Sequence, residues 1–235
     1  MQIDIYRDKR LDRDPEQRPF MPHRAFQSIP VFMKIDTIAL YNAEVVYKEK
    51  VPRGVGTGKI YFTHINGQIS GVNTRSDLED TTQIQASGRL MGEGFIEAKV
   101  KIPLLAENLY CSYEGKLGQM DAIFFNSIIE SNEHVRIRKG FIDEVKYEVA
   151  LADTLATGTL AAGYEKLRIQ VLNQEDHEKK RGLITFLANL ILNNRNDLER
   201  RKSKTGAIYY TREKEDGFLR ILWRSLATGL VDTLK

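Results

Sequence analysis

The glycine-rich stretch RGVGTGKIYF is the first candidate for a chemically active site, because it is similar to a phosphate-binding loop. That loop needs a glycine five residues before Gly58 and a serine or threonine after Lys59, but Arg53 and Ile60 stand there. A strand-like segment follows the lysine, so no helix N-terminus is available for a phosphate. The stretch therefore predicts a flexible hairpin connection. In GQISG, Ser70 is one position too late for a nucleophile elbow.

The remaining reactive side chains are scattered along the chain. The four histidines are His23, His64, His134 and His177. They form no i, i+4 pair and have no cysteine neighbour, so no metal-ligand spacing is present. Cys111 lies between Tyr110 and Tyr113 in an alternating segment, which favours an apolar filler over a nucleophile. Asp143 and Glu144 would point to opposite faces of a strand. We therefore expect no enzyme activity, no metal and no cofactor.

The basic run ERRKSK, with Tyr209 and Tyr210 nearby, is a candidate for nucleic-acid contact. It is short, flanked by acids and without a recognised fold motif, so a solvated loop is the simpler interpretation and no nucleic-acid partner is expected. A basic run between two apolar helices also fits an anionic lipid surface. Packing of both helices into the core is the alternative.

The composition restricts the possible size of the domains and the possible partners. A chain of 235 residues with 42% hydrophobic and 29% charged residues is long enough for one large or two small domains. A net charge of +3 is too small to name a polyanionic partner. The N-terminal stretch lacks the apolar region of a signal peptide, and the apolar run LITFLANLIL is about half a membrane span. One cysteine permits no intramolecular disulfide and leaves the compartment open.

Short segments rich in β-branched and aromatic residues dominate the chain from Met33 to Val171. Many of them alternate apolar and polar residues, which predicts antiparallel strands with one apolar face. YNAE at Asn42, INGQ at Gly67 and MGEG at Gly92 predict hairpin turns. The one helix expected within this meander is DAIFFNSIIE, capped by Asp121. It should pack Ile123, Phe124 and Ile128, with Phe125 as a further candidate.

The fold class predicted is mainly β (α+β): a long curled antiparallel meander with two C-terminal helices. Three regions follow, namely a polar N-terminal segment at 1–30, the meander at 31–172 with a short helix near 121–130, and a helix-strand-helix cap at 173–235. The apolar run at 183–192 predicts the first of the two C-terminal helices, and AIYYTR the strand between them.

The ending DGFLRILWRSLATGLVDTLK predicts an amphipathic helix that begins at Phe218 with Asp216 as its N-cap. Its apolar face should cover the core, a partner or a membrane surface, and the residues expected to make that contact are Phe218, Leu219, Leu222, Trp223, Leu226 and Leu230. Alternate positions of consecutive strands are expected to line an apolar groove, and the residues expected there are Ala98, Val100, Ile102, Val149 and Leu151.

Several stretches, taken in order, resemble the C-terminal part of large AsmA-like envelope proteins. They are IPVFMKIDTIALYNAEVVYKEK, GKIYFTHINGQISGVNT, GRLMGEGFIEAKVKIPL, YEGKLGQMDAIFFNSIIE and the C-terminal helix sequence. The resemblance covers most of the chain from Ile3 onward and lies in the order of loose patterns. It implies a periplasmic β-sheet with an apolar groove, and an N-terminal membrane anchor that would belong to a longer protein of which this chain is a C-terminal fragment.

The expected function, on that resemblance, is non-enzymatic phospholipid transport or outer-membrane lipid homeostasis. The expected partners are phospholipid acyl chains, together with a membrane surface or an envelope protein. An acyl chain would contribute about 0.8 kcal/mol for each methylene buried in the groove. The alternative is a scaffold domain that binds an envelope assembly protein through a sheet edge. Side chains of the protein itself could equally fill the apolar face.

Overall fold

The computed structural model describes residues 1–11, 19–52, 54, 56–74, 80–133, 135–172, 194–200, 203–214 and 216–234. The strands are β1 (Gln2–Asp8), β2 (Lys34–Lys50), β3 (Gly58–Asn73), β4 (Thr82–Leu90), β5 (Gly94–Ile102), β6 (Tyr110–Leu117), β7 (Met120–Asp121), β8 (Val135–Ala152), β9 (Leu155–Val171) and β10 (Thr205–Thr211). The helices are α1 (Pro22–Gln27), α2 (Asn126–Glu133) and α3 (Phe218–Thr233), and a 3-10 turn (Ala122–Phe125) leads into α2.

The ten strands of the described residues belong to one sheet in the order β1-β2-β3-β4-β5-β6-β8-β9-β10, with β7 paired to β8 beside this path. The sheet is open, and the predicted mainly β meander followed by a terminal helix is confirmed. β1 was not predicted; it pairs in parallel with β2, so the sheet is mixed. The helix predicted at 183–192 lies outside the described residues, as do His134 and His177.

Two of the three predicted hairpin turns are wrong. Asn42 and Gly67 lie inside the long strands β2 and β3, where Asn42 has a φ of 47° at an irregularity in the pairing. Gly67 is needed for close strand approach, because a Cβ there would lie 2.9 Å from the Gln85 carbonyl oxygen. The turn at Gly92 is confirmed: Met91 and Gly92 have φ values of 56° and 75° between β4 and β5.

The predicted helix near 121–130 is present, with a different buried face. Asp121 caps it as expected, since its carboxylate accepts a hydrogen bond of 3.0 Å from Ile123 N. Ile128 is buried, but Ile123 and Phe124 are exposed and Phe125 packs inward instead. The first turn is a 3-10 turn, with three residues per turn, so the side chains do not follow the α-helical wheel assumed from the sequence.

The two faces of the sheet differ sharply in chemistry. We call the face that carries Val100, Tyr113 and α3 the inner face and the opposite one the outer face. On the outer face, charged side chains from neighbouring strands pair across the ladder, as Lys99 and Glu114 do at 3.4 Å. Exposed pairs of this kind contribute little stability. The core therefore lies on the inner face.

Within the described part of the chain, the core consists of two apolar clusters. The main cluster joins α1, β6, β8, β9, β10 and α3, and its members include Met21, Tyr113, Leu160, Ile208 and Ile221. A smaller cluster is built on Leu90, Met91, Leu117 and Met120, with Phe125 packed against it. The helices α3 and α2 thus lie over different parts of the same sheet: α3 against β9 and β10, and α2 against β8 and β3.

Candidate functional site

One row of side chains crosses eight strands of the inner face. Residues paired in the ladders share a face, and the row runs Ile38, Ile69, Ile84, Val100, Tyr113, Val149, Gly158, Ile208. Ile208, under α3, is 2% exposed, whereas Ile38 at the far end is 40% exposed. Ile69, Ile84 and Val100 between them are half-buried. The apolar face therefore continues beyond the part that α3 covers.

The neighbouring row on the same face is built from small residues. It contains Gly67, Ala86, Ala98 and Gly115 on the successive strands β3 to β6. At neighbouring strand spacings of about 4.8 Å, it makes a shallow trough about 14 Å long. One end is closed by Tyr147, whose ring lies so close over Gly115 that a Cβ there would collide with its hydroxyl. The trough has uncharged walls.

The five residues predicted to line a groove divide into two groups. Ile102, Val149 and Leu151 are buried members of the main cluster. Ala98 and Val100 are half-buried on β5, in the small-residue row and the apolar row respectively. Ile69, Ile84 and Ala86 were not among the predicted residues, although the alternation in TQIQASGRL identifies the last two as sharing a face.

Helix α3 is held on the sheet by small and polar residues. Its buried stripe is Ile221, Ser225, Gly229 and Thr233. A Cβ on Gly206 would collide with the Gly229 carbonyl group, and a Cβ on Gly229 would lie 2.6 Å from Ile208 Cγ1. The hydroxyl groups of Tyr113 and Ser225 share a short buried hydrogen bond. Backbone contact and this hydrogen bond therefore set the rotation of the helix.

That rotation leaves part of the predicted apolar face in solvent. Phe218, Leu222 and Leu226 are half-buried and pack against the main cluster. Leu219, Trp223 and Leu230 are exposed. The apolar arc of α3 is therefore turned partly away from the strands that it covers, which the helical wheel alone could not show.

The predicted N-cap of α3 is wrong. Gly217 occupies that position without a side-chain hydrogen bond, and Asp216 is fully buried. Its carboxylate accepts hydrogen bonds from the Tyr210 hydroxyl at 2.5 Å and from Glu213 N at 2.9 Å. Arg220 Nε lies 2.9 Å from Oδ1 but out of line for a hydrogen bond. Asp216 thus fixes the turn before the helix.

The edge strand β10 is covered by α3 as well. The amide groups of Ala207 and Tyr209 donate to Asp232 Oδ2 at 3.0 Å and to Thr228 Oγ1 at 3.4 Å. These side chains occupy edge groups that could otherwise pair with another strand. At the opposite end of the sheet, β1 pairs only with β2 among the described residues.

Two buried titratable side chains on the inner face, Cys111 and Tyr113, have raised pKa values. Burial raises the pKa of the Cys111 thiol to about 12, and burial also raises the pKa of Tyr113 to about 12. Thiolate and phenolate forms are therefore disfavoured at neutral pH. Within the described part of the chain, no cluster of three or more histidine, cysteine or acidic side chains could hold a metal ion.

Because comparisons with known proteins give no match, the function is inferred from the geometry described above. No protein-family model, curated protein or solved structure matches the chain. Over the residues that the structure describes, no helix is long and apolar enough to cross a bilayer.

Proposed function

We propose that this protein is a non-enzymatic lipid-handling protein that holds an acyl chain of a phospholipid on the inner face of its sheet. The observation that supports the proposal is the row from Ile208 to Ile38. Helix α3 covers the Ile208 end of this row, but the row remains apolar beyond the helix. Ile69, Ile84 and Val100 offer aliphatic surface, and the adjacent small-residue row leaves room for a thin apolar chain. Each methylene buried there would contribute about 0.8 kcal/mol.

The setting proposed for this activity is the periplasmic side of a cell envelope, in phospholipid transport or outer-membrane lipid homeostasis. This part of the proposal is supported by the resemblance to AsmA-like proteins and by an open β meander with one apolar face. Exposed Trp223 and Leu219 on α3 would contact a membrane or partner.

The test is mass spectrometry of lipids extracted from gently purified protein, with a denatured and washed sample as control. Stoichiometric phospholipid is expected. Ala98→Phe fills the small-residue row and should lower the affinity for cis-parinaric acid at least about fivefold. Ala150→Phe is the matched control, because Ala150 is exposed on the outer face. A folded, lipid-free protein that does not bind cis-parinaric acid would refute the proposal.

A second candidate function is a scaffold that binds an envelope assembly protein through β1. It is favoured by the difference between the two edges of the sheet: α3 side chains occupy β10, whereas β1 pairs only with β2 among the described residues. A partner strand could add to such an edge. Retention of a defined protein by wild-type chain, lost with Tyr6→Pro, would support this function in a lipid-free protein, because the Tyr6 N–H lies on the open side of β1.

A further inference from the structure

A groove lies on the outer face of the sheet, opposite the proposed acyl site. Its volume is about 470 Å³, and it crosses the four neighbouring strands β5, β6, β8 and β9. Its floor is main chain, because the lining residues Tyr113 and Val149 turn their side chains into the core on the inner face. Among the described residues, none from α3 lines it. The groove is therefore open to solvent on the face that the helix does not cover.

Two rows of outer-face side chains form the walls of the groove. Inside it, the walls include the hydroxyl groups of Ser112, Thr157 and Thr159. Residues paired in the ladders share a face, so both rows continue across the sheet. Towards β3 and β4 they continue with uncharged polar residues, namely Gln68, Ser70, Gln83 and Gln85. The rows are therefore rich in hydroxyl and amide groups, which both donate and accept hydrogen bonds.

The charged groups of the groove balance one another. Two lysines and two glutamates stand in its walls, Lys99, Lys101, Glu114 and Glu148. Lys99 and Glu114 lie 3.4 Å apart, whereas Lys101 and Glu148 have no ion-pair partner within the described residues. The Lys101 ammonium group can donate hydrogen bonds to a ligand, and the Glu148 carboxylate can accept them. A neutral ligand with many hydroxyl groups matches this set better than an anion or a cation does.

Two exposed tyrosine rings stand beside the groove. Tyr209 on β10 pairs with Thr157 and is 66% exposed. Tyr110 on β6 lies two residues before Ser112 on the same face and is 51% exposed. An exposed tyrosine offers a flat apolar ring and a polar hydroxyl group. The C–H side of a sugar ring can pack on such a surface while the sugar hydroxyl groups reach the polar walls.

We infer that the outer face binds an extended, neutral oligosaccharide that lies across the strands. Lys101 and Glu148 hydrogen-bond to its hydroxyl groups, and Tyr209 stacks on a sugar ring at one end. From β3 to β10 the rows cross six strand spacings, about 29 Å. Each ring of a β-1,4-linked chain advances by about one such spacing, so a hexasaccharide spans the rows. This site goes beyond the proposed acyl site and does not depend on it.

The test is isothermal titration calorimetry of the full chain with cellohexaose and with chitohexaose. Ala150→Phe fills the groove between Ser112 and Thr157 and should weaken binding at least about fivefold. Tyr209→Ala removes the stacking ring and should weaken binding to a similar extent. Tyr41→Ala is the matched control, because Tyr41 is an exposed tyrosine on β2, outside the groove.

Each outcome has a definite meaning. Binding of either sugar that is weakened in both variants, with unchanged circular dichroism and an unaffected control, supports the site. Wild-type protein that binds neither sugar, variants that bind normally, or an equal loss in the control overturns it. Ala150→Phe separates the two proposals, because it should weaken sugar binding and leave binding of cis-parinaric acid unchanged. Sugar binding without cis-parinaric acid binding would refute only the acyl site.

Discussion

At the scale of single residues, His23 makes stability depend on pH. It is buried on α1, and its Nδ1 has no hydrogen-bond partner in the described structure. Burial, then the charges of Arg24 and Arg212, lower the pKa of His23. The unfolded chain takes up a proton below about pH 6.5, whereas the folded protein resists it. The contribution of His23 to stability is therefore fully present above that pH and is lost as the pH falls.

We expect the free energy of unfolding of wild-type protein to fall more steeply between about pH 7 and pH 5 than that of His23→Gln. Urea titrations at a series of pH values measure the free energy of unfolding of both proteins. The difference between the two values cancels the effect of the carboxylates that both proteins contain. His64→Gln, at an exposed histidine on β3, is the control. Parallel curves for wild type and His23→Gln would contradict the assignment.

At the scale of elements, the contact between α3 and β10 depends on two glycines. Gly229→Ala would place a Cβ 2.6 Å from Ile208 Cγ1 and 2.9 Å from Leu160 Cβ. Alanine favours a helix over glycine by about 1 kcal/mol, but overpacking at this contact should cost about 1–3 kcal/mol. We expect a net loss of stability in denaturant titrations.

The control for this prediction is Gly118→Ala. A Cβ on Gly118 would be 3.5 Å from the Phe95 carbonyl oxygen, an ordinary contact. A Gly229→Ala protein as stable as wild type would mean that α3 can move away from the sheet without loss. The same helix would then be free to present Trp223 and Leu219 differently.

At the scale of the whole molecule, Cys111 reports on the integrity of the main cluster. It is the one cysteine of the chain, it is buried, and burial raises its pKa to about 12. We expect a thiol reagent such as DTNB to label native protein at least about a thousandfold more slowly than denatured protein, because reaction requires the cluster to open.

The same labelling experiment tests whether a bound acyl chain stabilises the fold. A ligand that binds only the folded protein lowers the open population, so cis-parinaric acid should slow the reaction further. Native labelling within about tenfold of the denatured rate would show instead that Cys111 is reached through local opening. Ala150→Phe, which lies on the other face, should not change either rate.

Local patterns in the sequence predict the faces of the alternating strands. In TQIQASGRL and FIEAKVKI every second residue is apolar, and a pleated strand has no other way to gather Ile84, Ala98 and Val100 on one face. The cap at Asp121, the turn at Gly92 and the terminal helix from Phe218 were predictable for the same reason. Each depends on hydrogen bonds and dihedral angles within a few neighbouring residues.

The way these elements meet depends on contacts between distant parts of the chain. The parallel pairing of β1, the continuation of β2 through Asn42 and the hydrogen bond between Met33 and Thr74 depend on residues far apart in the chain. The helical wheel of α3 predicts which side of the helix is apolar. Contact between Gly206 and Gly229 and the hydrogen bond between Tyr113 and Ser225 place a different side against the sheet. Periodicity records which side of a helix is apolar, and only the shape of the facing strands decides which side fits.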